Sequence, residues 1–317
     1  MTDGGQINVI FDVLRRDIAN RKSELKENNQ KLAHYTTAET ALKIIESRTI
    51  RFRNATLMND FQEIKFGRDA VRASYEKFGG GFTAKAEQLF EGITEEINKQ
   101  IELVESFIRS DTYLTSLSVY DPDDFSGKLS MWRAYGGPIA GVAIVFNTDV
   151  VDGEDGPLQS RLQPVRYGQE GLDKALEGLF RSLLDNVESI KDFSREAFAC
   201  FLALELQMLM LSTKNRDFLE EREWRVIHNP LNNFSDFIRS KPVSINGIPQ
   251  IVYEANLEEY SEHFHEFSLE NLIHKIIIGP CRYPDQVRAA LELALEQAKV
   301  LNVRDRIIVS STPLRQG

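Results

Sequence analysis

The stretch LAHYTTAETALKIIESRTIRFR, residues 32–53, decides the fold. Its first five residues read as a short strand. Ala41, Leu42, Ile44 and Ile45 then place apolar side chains on one side of a helix over 38–47. Thr37 stands where a hydroxyl caps that helix, and Glu39 suits its first turn. Over 49–53, Ile50 and Phe52 alternate with Arg51 and Arg53, the pattern of a strand with one apolar and one basic face.

Outward from this segment the chain alternates between the same two kinds of element. Upstream, Ile7, Ile10, Phe11, Leu14, Ile18 and Leu25 fall at helical spacing among charges, giving an N-terminal amphipathic helix within 1–31 that packs on the body or on a partner protein. Downstream, Asp60 with Glu63 opens a helix in the manner of a capping box, and the glycines at 79–81 read as a loop. A charged amphipathic helix follows over 84–109. Strands are read at 113–119, 141–147, 162–167, 223–228, 248–253, 273–278 and 306–310, with helices at 129–135, 170–211 (two) and 285–299. The expected fold is α+β: one domain over 32–317 built on a single mixed, split β-sheet, with helical insertions at about 84–110 and 170–215.

Composition limits the function. Of 317 residues, 42% are apolar and 27% charged, which is globular and excludes collagen-like or wholly disordered chains. Asp and Glu number 48 against 38 Lys and Arg, a net charge of -10 that disfavours coating nucleic acid over a broad surface. Cys200 and Cys281 form no disulfide framework, do not complete a thiolate zinc site, and suit a reducing cytoplasm. The first residues carry no secretory signal pattern. The most apolar helical stretch, 198–211, is interrupted by Glu205 and Gln207 and is shorter than the roughly 20 residues of a membrane span. The reading is a soluble cytoplasmic protein with no membrane partner.

The common catalytic motifs are missing: no G-x-G-x-x-G after a strand, no Walker A, no G-x-S-x-G. His263 and His265 lack a third ligand at helical or hairpin spacing, so no metal is expected. Four polar groups remain. In His34-Tyr35-Thr36, His34 and Thr36 share one strand face and Tyr35 takes the other; the plain alternative is a histidine bonded to its neighbours. Arg51 and Arg53 fit a diphosphate clamp or a solvated strand face. Trp132 and Tyr135 share a helix face before Gly136-Gly137, where a planar ligand can stack; core packing is the alternative. In Glu221-Arg222-Glu223-Trp224-Arg225, a strand sends Glu221, Glu223 and Arg225 one way and Trp224 into the core. Two carboxylates there can bind a ribose hydroxyl and stabilise positive charge at an anomeric carbon, or Glu223 and Arg225 can simply pair.

In order, HYTTAETALKIIESRTIRF, LMNDFQE, SLSVYD, MWRAYGGPIAGVAIVF, EREWRVI and IIIGP resemble the bacterial domain-of-unknown-function family twenty-nine seventy-one, over roughly 32–311. Phe61 stands where that family usually has proline after Asn-Asp. A second likeness is to ADP-ribosyltransferases, with the DarT-like toxins nearest in flavour. It implies an ADP-ribosyltransferase-like split sheet with NAD as substrate, and a toxin or antiphage-defence effector modifying nucleic acid or protein. Carried over residue by residue, it implies that His34, with Tyr35 and Thr36, holds a ribose and Arg51 or Arg53 the diphosphate. Tyr135, beside Trp132, would stack on nicotinamide, Glu223 would act at the nicotinamide ribose, and Glu221 would orient the acceptor. Tyr135 departs from the pattern by lying on a helix and not on a central strand. Two alternatives stand beside this reading: a non-catalytic module binding a nucleotide, nucleic acid or protein, and a metal-dependent nuclease using Asp60, Glu63 and Glu223.

Overall fold

The computed structural model describes residues 15–57, 61–147, 161–191, 193–231, 235–245 and 247–312. Its strands are β1 (Lys31–Thr37), β2 (Thr49–Asn54), β3 (Tyr113–Tyr120), β4 (Gly141–Phe146), β5 (Arg161–Pro164), β6 (Arg166–Tyr167), β7 (Thr213–Lys214), β8 (Glu223–His228), β9 (Ile238–Ile245), β10 (Ile248–Asn256), β11 (Ile273–Ile278) and β12 (Ile307–Val309). The chain divides into two compact units, one of Met1–Glu24, Ala55–Thr112 and Gln163–Leu219, the other of Leu25–Asn54, Tyr113–Leu162 and Glu220–Gly317. Among the described residues no helix is long and apolar enough to cross a membrane.

The first unit is mainly helical and holds both segments read as helical insertions. Helices Phe61–Leu89, Ile93–Asp111, Gly168–Asp185 and Arg195–Leu211 share an aromatic core in which Phe82 stacks on Phe180 and Phe90 on Phe198. The glycines at 79–81 are not a loop: they lie inside helix Phe61–Leu89. Each glycine there costs the helix about 1 kcal/mol relative to alanine, and packing of neighbours such as Phe82, 2% exposed, outweighs that preference. The helix expected over 84–109 is likewise two, divided at Gly92, whose φ of +76° a side-chain-bearing residue rarely adopts. In the leader, helix Arg16–Glu27 is observed and residues 1–14 lie outside the described residues. Asp17 near its start accepts from the buried Arg166 guanidinium at 2.7 Å, which ties the leader to this unit. The short pair β6 and β7, also here, is parallel.

The second unit carries the large sheet. Among the described residues its order is β12-β11-β4-β1-β3-β2-β10-β9, with β8 on the other side of β3 and β5 beside β8. β11 and β12 run parallel, and the neighbours that position the site are antiparallel, so the sheet is mixed and largely antiparallel. Two elements depart from the sequence reading. β9 was not anticipated: its residues are mostly exposed and carry Arg239, Lys241 and Pro242, the composition of an edge strand. The 162–167 segment is two short strands, β5 and β6.

The strand–helix–strand segment forms as its pattern requires. Thr37 Oγ1 accepts from the Thr40 backbone N–H at 3.1 Å and starts helix Ala38–Ser47, which buries Ala41 and Ile45. Leu32, Phe52, Leu117, Val142, Ile144, Trp224 and Val226 join those residues in the larger core cluster on one face of the sheet. Ala33, Tyr35, Tyr120, Ala143, Val145 and Ile277 form a smaller cluster on the other face, covered by Met131 and Trp132 of helix Leu129–Tyr135.

Candidate functional site

The centre of the sheet is β3, and its two edges are used differently. One edge pairs with β8 from Tyr113↔His228 to Ser118↔Glu223. The other is shared: β1 takes Ser118 to Tyr120, β2 takes Tyr113 and Leu114, and the ladder between them is interrupted. Beyond Ala33, β1 continues with β4 alone, so the sheet is split at Thr115–Leu117. The His34 ring bridges that opening, with Nδ1 3.0 Å from the Ser116 carbonyl. Since a carbonyl only accepts, Nδ1 carries the proton of the neutral ring and Nε2 keeps the lone pair. Burial pushes the His34 pKa below its usual value and the bond to Ser116 offsets part of that, so the ring is neutral.

Alternation along the strands assigns the remaining groups to faces. Leu32 packs in the larger cluster and Tyr35 in the smaller, so His34 and Thr36 lie on the side away from Tyr35. Trp224 and Val226 pack in the larger cluster, which puts Glu223 and Arg225 on the Tyr35 side. Strand pleating therefore places His34 and Glu223 on opposite faces of the sheet, so the ribose contact implied for His34 is not on the face of Glu223. Phe52 packs with the larger cluster as well, so Arg51 and Arg53 share the face of Glu223.

On that face Glu223 and Arg225 form a fork, Nε to Oε1 at 2.9 Å and Nη2 to Oε2 at 3.0 Å, with side chains only 6% and 7% exposed. Neighbours i and i+2 on a strand meet in this way whenever no other partner separates them. Glu221 does not continue the strand as expected. It ends a 3-10 turn, Arg216–Glu221, and Arg222 with φ of +45° redirects the backbone before β8 begins. The turn leaves the Glu221 carboxylate buried and accepting from the Tyr135 hydroxyl at 3.1 Å. Tyr135 thus meets Glu221 from helix Leu129–Tyr135, whose start is pinned where the Lys128 N–H donates to Tyr35 Oη at 3.1 Å. Burial raises the Tyr35 pKa to about 12, so the hydroxyl stays neutral.

Trp132 is a core residue and not a stacking platform. It is 3% exposed, donates from Nε1 to the Ser126 carbonyl at 3.0 Å, and packs edge-on against Tyr35. A Cβ on Gly127 or Gly279 would come within 2.5 or 2.8 Å of its ring, so these glycines exist for the close approach. Arg51 is taken by Glu254, its cross-strand neighbour on β10, at 2.6 Å. Arg53 is more enclosed, and burial followed by the Arg51 charge lowers its pKa.

Two residues that the sequence reading passed over belong to the same face. Ser118 Oγ donates to the Glu221 backbone carbonyl, and Lys128 Nζ lies 3.2 Å from Ser118 Oγ and 3.5 Å from that carbonyl. Burial, with Arg222 adding to it, lowers the Lys128 pKa to about 8. Ser116 and Ser118, polar residues alternating with Leu117 and Val119, were the available signal. Lys128 had none, because nothing local announces that a residue preceding a helix will turn under it.

Residues 131–226, which contain Trp132, Tyr135, Glu221, Glu223 and Arg225, match a family model described as protein of unknown function (DUF2971). The motif resemblance to that family is thereby supported over this span, which contains both glutamates and the tyrosine that donates to Glu221. No curated protein and no solved structure matches the chain. Among the described residues no group of three or more His, Cys, Asp or Glu is arranged to hold a metal ion. Of the residues named for a nuclease, Asp60 lies outside the described residues, while Glu63 belongs to the first unit and Glu223 to the second.

Proposed function

We propose that the protein is an NAD-consuming ADP-ribosyltransferase whose chemistry takes place on the Tyr35–Glu223 face of the split sheet. The observation that carries this reading is two buried glutamates two residues apart, Glu221 accepting from the Tyr135 hydroxyl and Glu223 opposite Ser118 in the middle of the sheet. Breaking the nicotinamide–ribose bond develops positive charge at the anomeric carbon, as glycoside cleavage does. A carboxylate fixed nearby lowers that barrier without metal or protein nucleophile. Arg225 orients Glu223 through the two-bond fork. Glu221, steadied by Tyr135 and through its backbone by Ser118, is placed to take a second hydroxyl or the acceptor. Nucleic acid and protein both remain acceptor classes; the net charge of -10 favours a local contact over a broad basic surface. His34 has no part on this face and serves to close the split.

A specific observation favours a second reading, a non-catalytic nucleotide-binding module. The Arg225 guanidinium cancels the charge of Glu223 within a buried pair, which weakens the field that cleavage needs. Incubation with NAD carrying a labelled adenosine half, in the presence of cell extract, separates the two. A transferase releases nicotinamide and transfers label. Thermal stabilisation by NAD with no release supports the binding module, and neither effect rejects both.

A further inference from the structure

Among the charged groups on the candidate face, Lys128 stands apart. Arg225 is forked to Glu223 and Arg51 to Glu254, whereas the hydrogen bonds of the Lys128 ammonium go to a hydroxyl and a peptide carbonyl. Two of the acids around it are otherwise engaged. Asp121 accepts from Arg222 and from the Gln30 side chain, each at 2.6 Å, and Asp124 caps the backbone N–H groups of Ser126 and Gly127. Neutral acceptors hold an amine in place without demanding that it stay charged, which a carboxylate partner would do. Burial acts in the same direction, and Arg222 adds to it, while Asp121, Asp124 and Glu220 oppose. An amine titrating near 8 is unprotonated in roughly a quarter of molecules at pH 7.5, against about a thousandth for an ordinary lysine. Its two partners, the Ser118 hydroxyl and the Glu221 backbone carbonyl, are groups that also bind the hydroxyls of a sugar.

We propose that Lys128 is a nucleophilic amine that condenses with the aldehyde of an open-chain sugar on this face. The nitrogen adds to the carbonyl carbon, the carbonyl oxygen leaves as water with the two amine protons, and a C=N bond replaces C=O. The proposal rests on reading this face as a sugar-handling site, but not on NAD cleavage.

The test uses the full chain in two arms. Reductive methylation with formaldehyde and cyanoborohydride at pH 7.5, followed by peptide mapping, compares Lys128 with the exposed Lys65. Lys128 is expected to react at least about 10-fold faster, and a rate equal to or below that of Lys65 overturns the proposal. In the second arm ADP-ribose, whose terminal sugar opens to an aldehyde, replaces formaldehyde. One adduct is expected at Lys128, lost in Lys128→Arg; adducts spread over exposed lysines, or none, overturn the proposal. Nicotinamide release from NAD with no adduct at Lys128 rejects this inference alone. An adduct at Lys128 without nicotinamide release rejects the transferase reading alone.

Discussion

The two faces of β8 solve the same problem in opposite ways. Trp224 and Val226 enter the larger cluster, where burial alone stabilises them. Glu223 and Arg225, one residue out of phase, are buried as deeply and are held in a two-bond fork to each other. An apolar face tolerates the loss of one contact at a graded cost, while a buried charge pair is all or none. The polar face is thus the less stabilising arrangement of the two. Neighbouring β3 repeats the contrast, with Leu117 and Val119 on one side and Ser116 and Ser118 on the other.

The largest effect should come from breaking the pair on one side only. Arg225→Met leaves Glu223 buried and uncompensated and should cost about 3–5 kcal/mol in urea unfolding. The double variant Glu223→Leu/Arg225→Met should recover most of it. A double variant as unstable as the single one would mean the pair is a structural keystone and erase the contrast between the faces.

His228 tests the apolar side of the same strand. It is 2% exposed among Phe52 and Tyr253, neither ring nitrogen has a hydrogen-bond partner among the described residues, and burial lowers its pKa from 6.5 to about 4. The unfolded chain takes up a proton as pH falls through 6.5 while the folded chain resists until about 4. Stability is therefore intact above pH 6.5 and declines between 6.5 and 4, by up to about 3 kcal/mol. His228→Phe should flatten that decline; an unchanged pH profile would show that another group drives it.

Smaller effects follow on the polar face and in the scaffold. Tyr135→Phe removes the hydroxyl given to Glu221 and should cost about 1–2 kcal/mol of stability, with a larger proportional loss of nicotinamide release. Thr37→Ala removes the hydroxyl that caps helix Ala38–Ser47 and should cost about 1 kcal/mol while leaving release per folded molecule unchanged. Comparing the two in thermal melts and turnover separates damage to the scaffold from damage to the site.

These contrasts explain what was legible in the sequence. Period-two alternation around Phe52 and Trp224, and the hydroxyl at Thr37, are local patterns, and they gave the strands, the helix and the face assignment of Glu223, Trp224 and Arg225. The glycine-rich helix Phe61–Leu89 was hidden because local propensity there yields to packing. The positions of His34, Trp132 and Lys128 relative to the acids depend on where the β3 ladder splits and on the redirecting φ of Arg222. Neither is written in spacing. Types of residue were readable; which side of a sheet received them required the register.

Nicotinamide release from NAD by the wild-type protein, set against Glu223→Gln and Glu221→Gln variants shown to be folded, tests the central claim most directly. The account predicts measurable release by the wild type and a fall on the order of 10²-fold or more when the Glu223 charge is removed. No release by the wild type, or release that Glu223→Gln leaves unchanged, would contradict it.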